Sequence, residues 1–517
     1  MAARRVKKPK SRAASKALDQ LVTQFADPLA FLRELVQNSL DASTELIEVE
    51  VFYDDDAEGC VVRVRDTGIG MDRGIIDTKL TRLFSSSKED DLTKIGKFGI
   101  GFVSIFAINP QLVVLETGRD GESWRLIFNP DRSFERRQLE SPVEGTTVSV
   151  FTTYPEGALS KLQQDCRRTV SYWCRHSEVE IHFNGEPVNE AFALPEALVS
   201  VHHEIEGTDV VAAPSLEAKG FHGYYNRGLT LLEGQDSPLA HVSFKLRSRY
   251  LEHTLTRDNI LHDEGYERAL AEVRTAAYDK LPGRFAEVME RAQTPQSWAL
   301  ARVVAAYPGN AAQALQRAKM FPTASGLQPF TALRPPLLFH SEVDEFAQAA
   351  TAAGFSVLTA DASDDSDMLE LLADWKQPVR RLTASLLHFS RQTALDPADQ
   401  TLLEAIAVAD RTLPKLVAIE ALNTPSVWKD RFCGYIPAER TVAEAPGLEM
   451  PRRSEGIGVF LSHPFWRKLR QLHAVQRELA LSLACRKLAL ELGLGTKGDH
   501  KVFDRLFSSV RARSVPS

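Results

Sequence analysis

The sequence is poor in the features that mark secreted and membrane proteins. Its 517 residues include only five cysteines, which are scattered and form no C-x-x-C pair. This pattern argues against a disulfide framework or a zinc site, and a reducing cytoplasm is the simplest setting for the chain. The sequence also lacks an apolar run of about 18 residues, the minimum for a membrane-spanning helix, so we expect no membrane partner.

Positive charge is not in excess, and some of it is concentrated at the start of the chain. The formal net charge is −7, which gives no support to a nucleic-acid partner. The opening stretch MAARRVKKPKSRAASK is basic but lacks the apolar core of a secretory signal. An organellar transit peptide and a solvated tail both fit this composition. We interpret residues 1–16 as a disordered tail.

Familiar catalytic strings are missing as well. The sequence contains no G-x-S-x-G, no H-E-x-x-H and no Walker A string. The triplet His202-His203-Glu204 is the nearest approach to a metal site, but it lies in a strand-like stretch where neighbouring side chains point to opposite faces. We therefore predict no metal bound by these three residues.

The composition and the order of patterns indicate an α+β protein of several domains. The chain is 44% hydrophobic and 25% charged, which is ordinary for a globular protein. Asp27-Pro28 predicts a helix start, with Asp as the N-cap and Pro in the first helical position. Strand-like stretches between residues 111 and 154 predict an antiparallel meander, and Asn184-Gly185 predicts a hairpin turn. Beyond Asp367 we predict mostly helix, with strands near LVAIEAL and GIGVFLS.

One predicted helix, FLRELVQNSLDAS, carries an unusual polar front. Glu34, Asn38 and Asp41 recur at i, i+4 and i+7, so they project in nearly one direction, while leucines and a valine cover the opposite side. A solvated face is the simplest alternative for such a pattern. The neighbouring motifs favour a functional face instead.

Two glycine-rich stretches accompany this helix. DTGIGM (residues 66–71) follows a predicted strand, and GKFGIGF (residues 96–102) opens a predicted helix. Glycines at a helix start let backbone N–H groups approach an anion, where the helix dipole favours negative charge. An amide oxygen such as that of Asn38 is a ligand that Mg²⁺ accepts beside phosphate, and a carboxylate such as Glu34 can orient or deprotonate a water molecule.

The stretches ELVQNSLDA, DTGIGM, GKFGIGF and GTTVSVF resemble, in order and spacing, the nucleotide-binding motifs of the GHKL ATPase superfamily. This superfamily includes gyrase-type topoisomerases, heat-shock-protein-90 chaperones, sensor histidine kinases and MutL proteins. The resemblance implies a Bergerat-type α/β sandwich that binds ATP and Mg²⁺. It further implies a transducer or middle α/β domain after the sandwich, before the mostly helical C-terminal region.

The resemblance also implies roles for individual residues. Glu34 becomes the general base, Asn38 the magnesium ligand, and Asp66 the acceptor for the adenine amino group, with Thr146 supporting the adenine site and Asp41 near it. The other implied nucleotide contacts lie in the glycine stretches and in a lid between them: Gly68, Gly70, Met71, Lys88, Gly96, Lys97, Phe98, Gly99, Gly101 and Phe102. The alternative to a nucleotide contact is, for each glycine, that a tight turn requires glycine at that position. For Lys88 the alternative is an ordinary solvated side chain.

Three features favour the heat-shock-protein-90 branch. LTRD, residues 255–258, resembles the chaperone stretch whose arginine reaches the nucleotide from the middle domain, so Arg257 is implied to stabilise charge on the γ-phosphate. RRTVSYWCRHSEVEIHF is similar to the start of the chaperone middle domain, and FLSHPFWRKLRQL to a C-terminal chaperone segment. In gyrase-like and MutL proteins a lysine takes the place of this arginine, and Lys245 is the candidate here.

These observations lead to a functional prediction with two alternatives. We expect an ATP-hydrolysing clamp that acts on protein clients as a cytoplasmic homodimer. A MutL-like or MORC-like clamp on DNA is one alternative, and an ATP-sensing scaffold without catalysis is the other; Glu34 argues against the scaffold, because binding alone does not need a base. The expected domains are the ATP-binding domain (17–155), the middle domain (156–295), a small α/β subdomain (296–390) and the helical C-terminal domain (391–517).

Overall fold

The computed structural model describes residues 27–80, 101–252, 260–411, 413–444 and 456–494, together with residues 504 and 508. The chain divides into two compact units, residues 1–281 and residues 282–517. Both units combine helices with sheets, so the predicted α+β fold class is confirmed. The predicted tail lies outside the described residues, and the finer domain boundaries stay predictions.

The first unit begins with helix α1, Ala30–Asp41, and a large sheet. Its strands are β1 Leu46–Asp54, β2 Gly59–Asp66, β3 Leu112–Arg119, β4 Glu122–Phe128, β5 Phe134–Gln138, β6 Thr146–Phe151, β7 Glu180–Phe183 and β8 Glu186–Pro187. Short helical segments cover Arg73–Ile75, Ile76–Leu80, Ser104–Ile108 and Glu156–Ala158, and helix α2 covers Leu159–Cys174. The strand order is β5-β4-β3-β6-β2-β1-β7-β8 among the described residues.

The two faces of this sheet differ, as the alternation in the sequence predicts. One face packs on α1, on α2 and on the segment 102–108, and their apolar side chains form one buried cluster with the sheet. The other face carries cross-strand ion pairs such as Arg63–Glu50 and Arg125–Glu116. Period-two alternation places apolar residues on the covered face and charged residues in water. The result is a two-layer α/β sandwich.

The predicted meander is correct for β3, β4 and β5 but wrong for β6. Strand β6 pairs with β3 on one side and with β2 on the other, rather than with β5. Its inner residues Val148 and Val150 are buried, which suits a central strand. Strand β5 carries Arg136 and Arg137 and stays at the edge, where charged side chains discourage pairing with another chain.

The predicted start of α1 is wrong by a few residues. The helix begins at Ala30, with Leu29 in the N-cap position, while the Oδ1 of Asp27 accepts a hydrogen bond from the Leu29 N–H at 2.9 Å in the turn before it. The hairpin at Asn184-Gly185 is confirmed, since both residues have positive φ and join β7 to β8. Strand β7 pairs in parallel with β1 and extends the first sheet.

A second sheet completes the first unit. Its strands are β9 Val201–Ile205, β10 Thr208–Lys219, β11 His222–Asn226, β12 Leu229–Gly234 and β13 Ala240–Ser248, in the order β12-β11-β13-β10-β9. Helix α3, Glu264–Arg274, and the π-helical segment Thr275–Lys280 pack on this sheet. His203 lies on β9, where its Nε2 contacts Glu272 and its Nδ1 contacts Lys280.

The described residues of the second unit form two smaller sheets. The helices are α4 Leu281–Met289, α5 Pro295–Ala305, α6 Ala311–Arg317, α7 Glu345–Ala352, α8 Ser366–Asp374, α9 Leu382–Ser385, α10 Pro397–Ala409, α11 Pro464–Val475 and α12 Arg477–Glu491. The strands are β14 Phe321–Thr323, β15 Gly326–Gln328, β16 Leu337–His340, β17 Ser356–Thr359, β18 Val379–Arg381, β19 Leu386–Arg391, β20 Leu416–Asn423, β21 Cys433–Ile436, β22 Val442–Glu444 and β23 Gly456–Phe460. Short 3-10 segments cover Phe330–Ala332 and Ser426–Trp428.

The sequence predicts these two sheets to different degrees. The strand–helix–strand unit β16-α7-β17 belongs to the sheet β15-β14-β17-β16-β18. In the following region the predicted helices α10, α11 and α12 and the predicted strands β20 and β23 are present. The sheet there also contains β19, β21 and β22, which the sequence analysis missed. No described helix combines the length and the apolar character needed to cross a bilayer.

Candidate functional site

A cavity of about 250 Å³ opens between helix α1 and the first sheet. Its lining brings together residues that lie far apart in the sequence, and these include seven of the predicted site residues: Asn38, Asp41, Asp66, Gly70, Met71, Phe102 and Thr146. Apolar side chains from α1, β2, β3 and β6 form the rest of the wall. A mostly apolar cavity with a few convergent polar groups is the usual form of a small-molecule site.

Asp66 is the most tightly held polar group in this cavity. It is the last residue of β2 and only 6% exposed. Its Oδ2 accepts a hydrogen bond from Ser39 Oγ at 2.8 Å, and its Oδ1 accepts from the N–H groups of Gly68 and Thr146 at 2.9 and 3.2 Å. A carboxylate has room for about four hydrogen bonds, so one more donor from a ligand can be accommodated.

The surroundings of Asp66 act on its protonation in opposite directions. Burial raises the pKa of the Asp66 carboxyl above its usual value, and the hydrogen bonds from Ser39, Gly68 and Thr146 lower it, with burial the larger effect. A ligand that donates a hydrogen bond to this carboxylate favours the charged form further. An exocyclic amine is such a donor.

The turn after Asp66 is fixed by close backbone contacts. Gly70 has a φ of +62°, and a Cβ atom there would overlap the carbonyl oxygen of Gly118. The N–H of Met71 donates to Thr117 Oγ1 at 2.9 Å, and the Thr117 hydroxyl lies 3.0 Å from that of Thr146. Glycine is therefore required at position 70, and Met71 is placed on the cavity wall.

The polar front of α1 faces two parts of the site. Asn38 lies on the cavity wall and is partly buried. Glu34, one turn earlier, is 4% exposed and lies against Gly101, where a Cβ atom would overlap Glu34 Oε2. The structure thus brings together the predicted base and one of the predicted phosphate-facing glycines. The roles of both residues stay predictions.

Asp41, the last residue of α1, lies at the rim of the cavity and is partly exposed. Arg227 Nη1, from the turn between β11 and β12, lies 3.0 Å from Asp41 Oδ1. Burial raises the pKa of the Asp41 carboxyl, and the charge of Arg227 opposes this rise. No local sequence pattern predicts Arg227 as the partner of Asp41.

Part of the predicted site lies outside the described residues: Lys88, Gly96, Lys97, Phe98, Gly99 and Arg257. Lys245 can be placed, and it does not line the cavity. It is 8% exposed, with its Nζ 2.9 Å from His176 Nε2 in the contact between the second sheet and the end of α2. This buried position argues against Lys245 as a phosphate ligand.

Several residues that line the cavity or support its wall were not identified from the sequence. Ser39 stands next to Asn38 in the predicted motif, and its hydrogen bond to Asp66 requires the packing of α1 on β2. The position of Thr117 follows only from the strand register, because Thr117 on β3 pairs with Thr146 on β6. Arg119, at the end of β3, lines the cavity as well. These contacts depend on strand register and tertiary packing, so no local sequence pattern predicts them.

The donors present are compatible with a nucleotide and a hard cation. Asn38 lies on the cavity wall and its side chain contains an amide oxygen. Magnesium prefers oxygen ligands and binds through few protein groups when phosphates supply the others. No cluster of three or more histidine, cysteine or carboxylate side chains with metal-binding geometry occurs within the described part of the chain. A cation held between Asn38 and a ligand's phosphates fits this arrangement.

Comparison with known proteins identifies the same region. Residues 29–154 match the model of the family described as histidine kinase-, DNA gyrase B- and HSP90-like ATPase. The chaperone protein HtpG of Rhodospirillum rubrum is 30% identical over 217 residues, which cover 35% of this chain and 34% of that protein. HtpG of Paraburkholderia xenovorans is 31% identical over 166 residues, or 26% of each chain.

The chain therefore spans about a third or less of the length of the curated relatives it matches, 34% and 26% for these two. The match includes the cavity, the glycine turn and helix α1, and it agrees with the resemblance read from the four motifs. Residues 29–154 therefore form an ATPase domain of the family described as histidine kinase-, DNA gyrase B- and HSP90-like, the GHKL type.

Proposed function

We propose that this protein binds ATP with Mg²⁺ in the cavity beside α1, hydrolyses it, and uses the resulting conformational cycle to act on protein clients. The observation that carries the proposal is the buried Asp66 carboxylate, held by Ser39, Gly68 and Thr146 at the wall of a cavity with apolar sides. An adenine ring fits apolar walls, and its amino group supplies the one further donor that this carboxylate can accept.

The residues on α1 divide the remaining tasks. Asn38 holds the cation with its amide oxygen, and the bound cation neutralises phosphate charge when present. Glu34 orients and deprotonates the attacking water, because its carboxylate lies buried against Gly101, the last glycine of the stretch 96–102. Lys88, the glycines of the stretch 96–101 and Arg257 complete the phosphate end in this proposal. Arg257 acts when its domain closes on the nucleotide.

Protein clients are the proposed target because the relatives that match are named chaperone proteins. The net charge of −7 agrees with this choice, since a clamp that closes on DNA needs a basic surface. We also propose a homodimer and a cytoplasmic location. Sedimentation of the purified chain, with and without ATP, tests the oligomeric part.

One preparation can test both the target and the catalysis. ATP-dependent suppression of aggregation of a denatured protein should be measured beside ATP-dependent retention on circular DNA. We expect protection of the denatured protein that disappears in Glu34→Ala, and no retention on DNA. Retention on DNA without protection would replace the chaperone proposal by the MutL-like one. Failure to bind ATP would remove both.

A further inference from the structure

The ion pair between Arg227 and Asp41 connects the second sheet to the rim of the cavity. The two charged groups are 3.0 Å apart, and the side chains are 53% and 33% exposed. Asp41 lines the cavity, whereas Arg227 lies 186 residues further along the chain. A contact of this kind brings a positive charge to the mouth of the site from outside the ATPase sheet.

The turn that presents Arg227 is tightly specified. Asn226 pairs with Leu229, so Arg227 and Gly228 form a two-residue hairpin loop. Both loop residues have positive φ, +49° and +80°, which is the conformation of a type I′ turn. Positive φ is unusual for arginine, and a residue held there by its surroundings commonly has a functional reason.

The same turn is seated against the end of helix α2. A Cβ atom at Gly228 would overlap the carbonyl oxygen of His176, so the backbones are in direct contact. Thr230 Oγ1 donates to the carbonyl oxygen of Tyr172 at 2.8 Å, and Asn226 Nδ2 donates to that of Leu251 at 2.8 Å. These contacts fix the base of the Arg227 side chain relative to the ATPase sheet.

Arg227 offsets negative charge that accumulates where Asp41 lies. Asp41 ends α1, where the helix dipole is negative, and the last turn of α1 contains no basic residue. Asp66 adds a second carboxylate to the same cavity. Both carboxylates lie at the adenine end of the proposed site, so their charge acts on the phosphates through space, and it repels a ligand more strongly the more phosphates the ligand carries.

We infer that Arg227 is a positioning residue of the nucleotide site, which neutralises Asp41 and thereby makes affinity increase with the number of phosphates. This inference rests on the proposed binding of ATP. It has a structural corollary: because the β11–β12 turn carries the charge, nucleotide affinity depends on the seating of the second sheet on α2, and nucleotide in turn stabilises that seating.

The test compares ligands that differ only in phosphate number. Affinities for adenosine, AMP, ADP and ATP should be measured by calorimetry or competition for the wild type and for Arg227→Ala, in one magnesium buffer. We expect ATP to bind ~3- to 10-fold more weakly to the variant, ADP less so, and adenosine about equally. The loss for ATP should shrink as salt is raised.

Two further variants separate charge from structure. Arg227→Lys keeps the positive charge and should retain most of the ATP affinity. The double variant Asp41→Asn with Arg227→Ala removes one charge of each sign, so the ratio of ATP to adenosine affinity should return toward that of the wild type. Arg125→Ala is the matched control, since Arg125 is also half-exposed and pairs with a single carboxylate, Glu116, on the far face of the sheet.

The possible outcomes are distinct. If the wild type binds ATP and Arg227→Ala binds every ligand equally well, the inference is overturned while the proposed function stands. If Arg227→Ala weakens adenosine as much as ATP, the pair is merely structural and the charge role is wrong. If the wild type binds none of the ligands, the inference and the proposed function both fail.

Discussion

Gly101 leaves no room for a side chain opposite Glu34. A Cβ atom at residue 101 would overlap Glu34 Oε2, and the Glu34 side chain is 4% exposed. The Glu34 carboxylate therefore lies directly against Gly101, the first residue that the structure describes after position 80. This approach positions Glu34 beside the segment that we propose to face the phosphates.

Replacing Glu34 by Gln tests its role as the base. The amide is nearly isosteric, so ATP and ADP should bind as before, while turnover should fall by about 100-fold or more. Calorimetry gives the affinities, and release of inorganic phosphate gives the rate. A variant that loses binding together with turnover would place Glu34 in the structure of α1 rather than in catalysis.

The glycine turn gives a prediction about stability. Gly70→Ala forces a side chain into positive φ and against the carbonyl oxygen of Gly118, so the first unit should lose about 2–4 kcal/mol of unfolding free energy. Gly157→Ala is the control, because a Cβ atom there meets no neighbouring atom within 4 Å and its φ is not positive. Urea unfolding of both variants makes the comparison, and equal losses would refute the requirement at position 70.

The buried contact between His176 and Lys245 predicts a pH dependence. Burial, aided by the charge of Lys245, lowers the pKa of His176 to about 4 from an ordinary 6.5. The unfolded chain therefore takes up a proton below about pH 6.5 that the folded chain takes up only near pH 4. Stability should be complete above pH 6.5 and fall through this window as the pH is lowered, by up to about 3 kcal/mol.

The matching measurement is urea unfolding of the first unit at about pH 7 and about pH 5. His176→Gln cannot titrate, so its stability should change less between these two values than that of the wild type. His182→Gln removes a histidine that is only partly buried, 27% exposed, and should behave like the wild type. If His176→Gln retains the whole pH dependence, another group is responsible.

Arg257 carries the prediction that hydrolysis involves two domains. It lies outside the described residues, so the prediction comes from the resemblance of LTRD to the chaperone stretch. Arg257→Ala should leave ADP affinity intact, because ADP has no γ-phosphate, and should lower turnover by about 10- to 1000-fold. If Arg257→Ala leaves turnover unchanged and Lys245→Ala abolishes turnover without unfolding the chain, the gyrase and MutL branch is favoured instead.

Local sequence patterns predict the order of helices and strands along the first unit, but they do not predict which strands pair with one another. Alternation predicts β3 to β6 as strands, whereas the insertion of β6 between β3 and β2 depends on which strand is apolar enough for the centre of the sheet. The same limit explains the missed strands β19, β21 and β22, which depend on pairing with partners elsewhere in the chain: β19 pairs with β20, β21 with β23, and β22 with β19.

The candidate site divides in a similar way. Glu34, Asn38, Asp41 and the glycines could be predicted because helical spacing and glycine chemistry are visible along the chain. Ser39, Thr117 and Arg119 could not, since their positions depend on packing and on strand register. Arg227 is the extreme case: its contact with Asp41 spans 186 residues and requires the second sheet to be folded and seated on α2.

We propose that ATP binds in the cavity with its adenine amine on Asp66, and a calorimetric titration of Asp66→Asn with ATP measures that contact. Asp66→Asn replaces one carboxylate oxygen by an NH₂ donor while keeping the shape, so the amine loses a charged acceptor worth about 1.5–3 kcal/mol, more when buried. Glu50→Gln, on the far face of the sheet, is the control for loss of one carboxylate. We predict undetectable ATP binding by folded Asp66→Asn and unchanged binding by Glu50→Gln; wild-type affinity in Asp66→Asn would contradict the account.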